Sequence, residues 1–213
     1  MNDKSYAGQV IILNGAPRSG KSTIAKIIQE KFEGPWMNIG VDTYNAMTPE
    51  RYLPGIGLRP GGERPDLEDL VLYFYASLYE SIAIHANFGL NVVADLGHHD
   101  SYSQPLGILA DCARRLAGLP VLFVGVRCPI DVIMQRREIE QAGREGLYAK
   151  ATVDVPLPEP VLRWQDEVHK PGIYDLEIDT SVLTPLECVE VIHDRLERGI
   201  PQPSAFERIA GQR

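Results

Sequence analysis

Short, nearly continuous apolar runs alternate along this chain with stretches in which apolar residues recur every three to four positions. Gln9–Asn14 (QVIILN) is apolar and rich in β-branched residues, which predicts a buried strand. Ile24, Ile27, Ile28 and Phe32 then repeat at helical spacing, predicting a helix from Lys21 to about Phe32 that stops at Gly34-Pro35. Trp36–Val41 reads as a second strand ending at Asp42. Leu67, Leu70, Val71, Phe74, Leu78 and Ile82 form the stripe of a long helix, with Asp66 as its cap and Gly89 closing it. Leu90–Ala94 predicts a third strand ending at Asp95, and Ser103–Leu116 a helix that stops at Gly118. Pro120–Val126 predicts a fourth strand, the most apolar of all. Helices are expected from Asp131 to about Gln141 and over Glu159–Lys170, with a fifth strand at Ile173–Ile178. Thr184-Pro185-Leu186-Glu187 is a capping box that opens a last helix reaching about Arg198.

Two segments break the pattern. Residues 45–66 are crowded with prolines and glycines, and read as a long surface excursion of the kind that serves function. Residues 199–213 hold few apolar positions and are expected to be loosely attached. What remains, strands alternating with helices, predicts an α/β fold in three layers, a parallel sheet covered on both faces. Ligands of such sheets bind outside the carboxyl ends of the strands. Asn14, Asp42 and Asp95 all lie at expected strand ends.

Length and composition agree with one globular domain over 1–198. The chain has 213 residues, 44% hydrophobic and 23% charged. The formal net charge of −8, without a block of Lys and Arg, argues against a duplex nucleic acid as partner. No apolar stretch is long enough to span a membrane, and residues 1–9 lack the apolar region of a signal peptide. A cytoplasmic location is therefore expected. Cys112, Cys128 and Cys188 are far apart and odd in number, so neither a disulfide framework nor a metal site is implied.

The chemistry gathers at the strand ends. Gly15, Ala16, Pro17, Arg18, Ser19, Gly20, Lys21 and Ser22 satisfy G-x-x-x-x-G-K-[ST] between a strand and a helix, and Thr23 follows in the helix. Glycines let the backbone N–H groups turn inward around a phosphate at a positive helix end. Lys21 would reach the β and γ oxygens of ATP, and the Ser22 hydroxyl would ligate Mg²⁺. Asp42 has the position of a base that takes the proton of an attacking hydroxyl; a turn or helix-cap aspartate is the alternative. Asp95 closes an apolar strand in the manner of a Walker B carboxylate, with a role towards metal or substrate. His98-His99-Asp100 are expected to line the substrate cleft or face solvent.

Arg136, Arg137 and Arg144 lie in the charged segment after the fourth strand. Arginines on a lid, about 136–158, would neutralise the transferring group, Arg137 and Arg144 first; interleaved glutamates leave a solvated helix face as the alternative. Asp179-Thr180-Ser181 closes the fifth strand where the adenine of a P-loop kinase lies, making Thr180 a further nucleotide contact. Arg51, Arg59 and Arg64 in the excursion are candidates for a second anion site, with ordinary loop charge the favoured reading.

Several stretches together resemble the chloramphenicol phosphotransferase-like family of P-loop kinases. They are Ile11–Gly15 with the glycine loop, Pro35-Trp36 ahead of Gly40-Val41-Asp42-Thr43, and Val124–Cys128. The series continues with Arg137-Glu138, Val168-His169 upstream of Tyr174–Thr180, and Glu187-Cys188. The resemblance implies a five-stranded parallel sheet of the nucleoside-monophosphate-kinase type with a helical lid. It also implies ATP with Mg²⁺, an aspartate base at Asp42, and a small-molecule hydroxyl as acceptor. His169 falls in a family motif, either orienting a ligand or packing the fold. Two departures fall on the acceptor side: residues 45–66 match poorly apart from Ala46-Met47, and Ala94-Asp95 stands where a carboxylate pair is expected. A kinase for a nucleotide, nucleoside or RNA end, and a nucleotide-binding switch without a transferred product, are the alternatives.

Overall fold

The computed structural model describes residues 7–138 and 159–211. Five strands, β1 (Val10–Asn14), β2 (Trp36–Asn38), β3 (Asn91–Leu96), β4 (Val121–Arg127) and β5 (Leu176–Asp179), form one sheet. Its order is β2-β3-β1-β4-β5, parallel throughout. Side chains alternate across β1, so Val10 and Ile12 enter one core and Ile11 and Leu13 the other. The first core is covered by α3 (Pro65–Asn87) and α4 (Ile108–Arg115), the second by α1 (Lys21–Lys31) and α7 (Pro185–Glu197). This is the three-layer P-loop fold that the alternation predicts. A third apolar cluster, including Ala16, Cys128, Ile133, Val161 and Trp164, lies under α5 (Ile130–Glu138) and α6 (Glu159–Glu167). Arg144 and most of the expected lid fall outside the described residues. Among the described residues, no helix is long and apolar enough to cross a membrane.

Several expectations need correction. The second strand ends at Asn38, and Asp42 lies in the first turn of a short helix, α2 (Val41–Ala46). Gly40 explains the turn: it presses so closely on Asp95 that a Cβ would overlap Oδ1. Asp66 does not cap α3; Arg64 occupies that position, and its guanidinium pairs with Asp66. The helix after β3 begins at Ile108, because Ser103 instead donates its N–H and hydroxyl to the buried carboxylate of Glu68. The excursion is not wholly a surface feature. It winds through two 3-10 turns, Glu50–Tyr52 and Gly55–Gly57, and buries Ile56 and Leu58 in the first core.

The C-terminal segment is likewise held. Ala205–Ala210 form α8, opened by a capping box of Ser204 and Glu207, and Ala205, Phe206 and Ile209 are buried. Phe206 meets Phe123 edge to face at 4.9 Å, and Asp175 accepts from the N–H groups of both Phe123 and Ala205. Three apolar positions on one helix face suffice when they fill a gap beside β4. The three cysteines are buried free thiols.

Candidate active site

β1 runs straight into the glycine loop, which curls back over the sheet with Arg18 (φ 73) and Gly20 (φ 99) in the left-handed region. Lys21 opens α1, and its ammonium donates to the Gly15 and Ala16 carbonyl oxygens at 2.8 and 2.9 Å. The loop thus holds its own cation against its backbone. The Ser22 hydroxyl donates to Asp95 Oδ2 at 2.6 Å, joining the start of α1 to the end of β3. The two residues expected to manage a metal ion are therefore in direct contact.

A cavity of about 770 Å³ opens above these strand ends, a size usual for small-molecule sites. Gly15, Pro17, Arg18 and Gly20–Thr23 line one end, joined by Asp42, Asp95, Arg137 and Thr180. Ala16 and Ser19 are buried and do not line the cavity. Arg137 is buried on the wall. Its neighbour Arg136 is engaged in structure, donating to the Thr180 hydroxyl and carbonyl oxygens at 3.0 and 2.7 Å. Thr180 in turn donates to the Ser19 carbonyl at 2.8 Å. These bonds clamp the β5–α7 turn onto the glycine loop.

The far end of the cavity was only partly anticipated. It is formed by Ile56, Arg59 and Arg64 from the excursion and by Val161 and Trp164 of α6, with Gly97 after β3 lying between Trp164 and the Gly15 carbonyl. Arg59 and Arg64 each have a carboxylate neighbour, Glu63 and Asp66, while Arg51 lies over the Tyr52 ring away from the wall. No motif marks Trp164, which reads as an ordinary core residue of its helix.

The histidines differ from expectation. His98 and His99 neither line the cavity nor face solvent; both are buried. The His98 ring nitrogen Nε2 lies 2.7 Å from the Tyr79 hydroxyl, and its backbone N–H donates to Asn14 Oδ1. Burial pushes its pKa down to about 3. Asn14 Nδ2 donates to the Val168 carbonyl and to the Tyr174 hydroxyl, which stands 2.9 Å from His169 Nδ1. His169 therefore packs the fold. Burial, with smaller effects of Arg127 and Lys21, lowers its pKa to about 4.

Among the described residues, no group of three or more His, Cys, Asp or Glu side chains is arranged to hold a metal ion. One hydroxyl and one carboxylate do fit Mg²⁺, which keeps most of its water and takes further ligands from phosphates.

Comparison with known proteins agrees with this geometry. Residues 8–197 match the family described as chloramphenicol phosphotransferase-like protein. Two proteins of Mycobacterium tuberculosis, each carrying the name "Putative O-phosphotransferase", are 26% identical over 219 residues, covering 95% of this chain and 88% of theirs. The fold is similar to that of the APS kinase CysC of Mycobacterium tuberculosis (TM-score 0.58, 16% identity, 90% of this chain and 98% of that one). It is similar also to shikimate kinase from Bacteroides thetaiotaomicron (TM-score 0.58, 17% identity, 89% and 98%). A nucleotide cradle on this fold, together with the match over 8–197, leads to one conclusion: the chain belongs to the chloramphenicol phosphotransferase-like family of P-loop phosphotransferases.

Proposed function

We propose that the chain moves the γ-phosphoryl group of ATP onto a hydroxyl of a small molecule. The observation that carries this reading is the contact of Ser22 with Asp95 on the wall of a cavity that also presents Lys21 and Asp42. The glycine-loop N–H groups and Lys21 hold the β and γ oxygens, and the Thr180 turn borders the nucleotide. Ser22 and Asp95 would hold Mg²⁺, which supplies charge neutralisation between the phosphates. Asp42 takes the proton of the attacking hydroxyl. Arg137 neutralises charge on the transferring group, with Arg144 as a second candidate for that role.

The acceptor enters from the far end, between the excursion and α6. That wall is mainly apolar, with Arg59, Glu63 and Arg64 at its edge. It suits a hydroxylated molecule with an apolar body. Arg59 and Arg64 favour, as a second reading, an acceptor that also bears an anionic group such as a carboxylate or phosphate.

The test is incubation with Mg·ATP and a panel of acceptors that spans chloramphenicol, nucleosides, nucleotides and hydroxy acids, with products followed by mass spectrometry. Gain of one phosphoryl group on any acceptor supports the reading. ATP binding without transfer to any of them would favour a nucleotide-binding module.

A further inference from the structure

The far end of the cavity has two walls that come from distant parts of the chain. One is the excursion, where Gly57 and Arg59 flank the buried Leu58; the other is α6, through Val161 and Trp164. His99 sits behind both and touches neither the cavity nor the phosphate machinery. Its Nδ1 accepts from the Ser101 N–H at 3.2 Å, which places the ring proton on Nε2. Nε2 then donates to the Leu58 carbonyl at 2.8 Å. Both nitrogens of a neutral imidazole are thereby satisfied, and burial, the largest influence, keeps the ring below its ordinary titration range.

The faces of the ring are also used. Tyr102 lies against it with centroids 4.4 Å apart, and Trp164 meets it at 5.0 Å and 88°. A second tie runs alongside, from the Gly61 N–H to the Ser101 carbonyl at 2.6 Å. Gly61 packs so closely beneath Arg163 of α6 that a Cβ would overlap the guanidinium. Excursion, post-β3 loop and α6 therefore meet around one side chain.

We propose that His99 is a positioning residue that sets the width of the acceptor slot, by holding the Leu58 segment and Trp164 at a constant separation. The proposal rests on the reading that the acceptor occupies this end of the cavity. Two groups must keep their places for one acceptor shape to be selected over another. The backbone carbonyl of Leu58 is bound on one side of the ring, and the indole is braced on the other. Loss of the Nε2 donor leaves a buried carbonyl unpaired, and the cheapest relief is for the excursion to move outward towards water. The ring itself makes no hydrogen bond to the glycine loop, which is held by its own bonds to Lys21 and Thr180.

Two variants of the full chain test this. His99→Phe keeps an aromatic ring against Tyr102 and Trp164 but removes both hydrogen bonds; His99→Gln restores an N–H donor towards Leu58. With an acceptor that the wild type phosphorylates, His99→Phe should raise the acceptor KM about tenfold while the KM for ATP stays within about twofold. His99→Gln should recover most of the loss. Acrylamide quenching of Trp164 in a Trp36→Phe background gives a readout that needs no turnover, and it should rise in His99→Phe. Equal shifts in both KM values, or no shift in either with unchanged quenching, would overturn the proposal. Should His99→Phe not fold, His99→Leu, which also lacks the donor, carries the test: a raised acceptor KM at constant ATP KM supports it, and unchanged values for both contradict it. If the wild type phosphorylates no acceptor, the phosphotransferase reading fails, and the quenching result still decides whether His99 holds Trp164.

Discussion

The groups proposed to face the phosphates come from residues 15–23 and from the ends of adjacent strands, whereas the proposed acceptor wall is gathered from residues 56–64, 97 and 161–164. The first set needs only a strand, a tight turn and a helix, because its chemistry lies in backbone N–H groups and one cation. The second set has no local rule. Its members are brought together by buried side chains such as His99, and by the Tyr75 hydroxyl, which donates to the Ile56 carbonyl at 3.2 Å. The glycine loop is thus a local device, while the other wall is assembled by tertiary contacts. On the proposed reading, substrate choice rests with the less regular half.

The sharpest way to break this division is at Lys21. Lys21→Ala should lower phosphoryl transfer by about 10²- to 10³-fold, with the melting temperature nearly unchanged. A fall in melting temperature as marked as the fall in rate would make Lys21 a staple of the loop carbonyls instead. On the other side, Ile56→Ala should destabilise the chain by about 2–5 kcal/mol in urea unfolding, as a core truncation does. A loss under about 0.5 kcal/mol would return the excursion to an ordinary surface loop.

Gly40→Ala probes the seam between the halves. The added methyl overlaps Asp95 and must displace its carboxylate from Ser22, costing about 1–3 kcal/mol. The Mg²⁺ concentration that supports half-maximal transfer should rise; an unaltered Mg²⁺ requirement would detach Asp95 from the metal.

The smallest effect is one of pH. His98 and His169 are held at about 3 and about 4, below the ordinary value of 6.5, so the unfolded chain binds protons before the folded one does. Their contribution to stability is complete above about pH 6.5 and declines as pH falls towards 4. Urea midpoints at pH 7 and pH 5 should show this decline, and His169→Gln should flatten it. A midpoint that rises on acidification would contradict the buried, neutral state of these rings.

The legible parts of the molecule were those with local grammar. The glycine loop, the carboxylate near the end of β3 and the capping box at Thr184–Glu187 each follow from a few neighbouring residues, although β3 runs one residue past Asp95 to Leu96. Asp42 was placed beside the right strand but on a helix, because the contact of Gly40 with Asp95 is tertiary. Tyr75 and Tyr79 recur beside Phe74, Leu78 and Ile82 at helical spacing, the mark of a core stripe, and both lie in the first core. What the stripe does not disclose is where their hydroxyls go, to the Ile56 carbonyl and to His98, partners set by the tertiary fold. The C-terminal helix carried a readable signal, Ser204-x-x-Glu207, that its low apolar content concealed. Trp164 leaves no local trace, and His99 stands out in sequence but not as a buried brace, since both roles depend on packing between three separate segments.

Asp42→Asn tests the central claim most directly. The variant and the wild type would be given Mg·ATP and the same acceptor, with ATP affinity and phosphorylated product measured on each. The account predicts ATP binding near wild type and transfer reduced about 10²- to 10⁴-fold, the usual contribution of a general base. Transfer at the wild-type rate would contradict it, and would show that the proton of the acceptor hydroxyl leaves by another route.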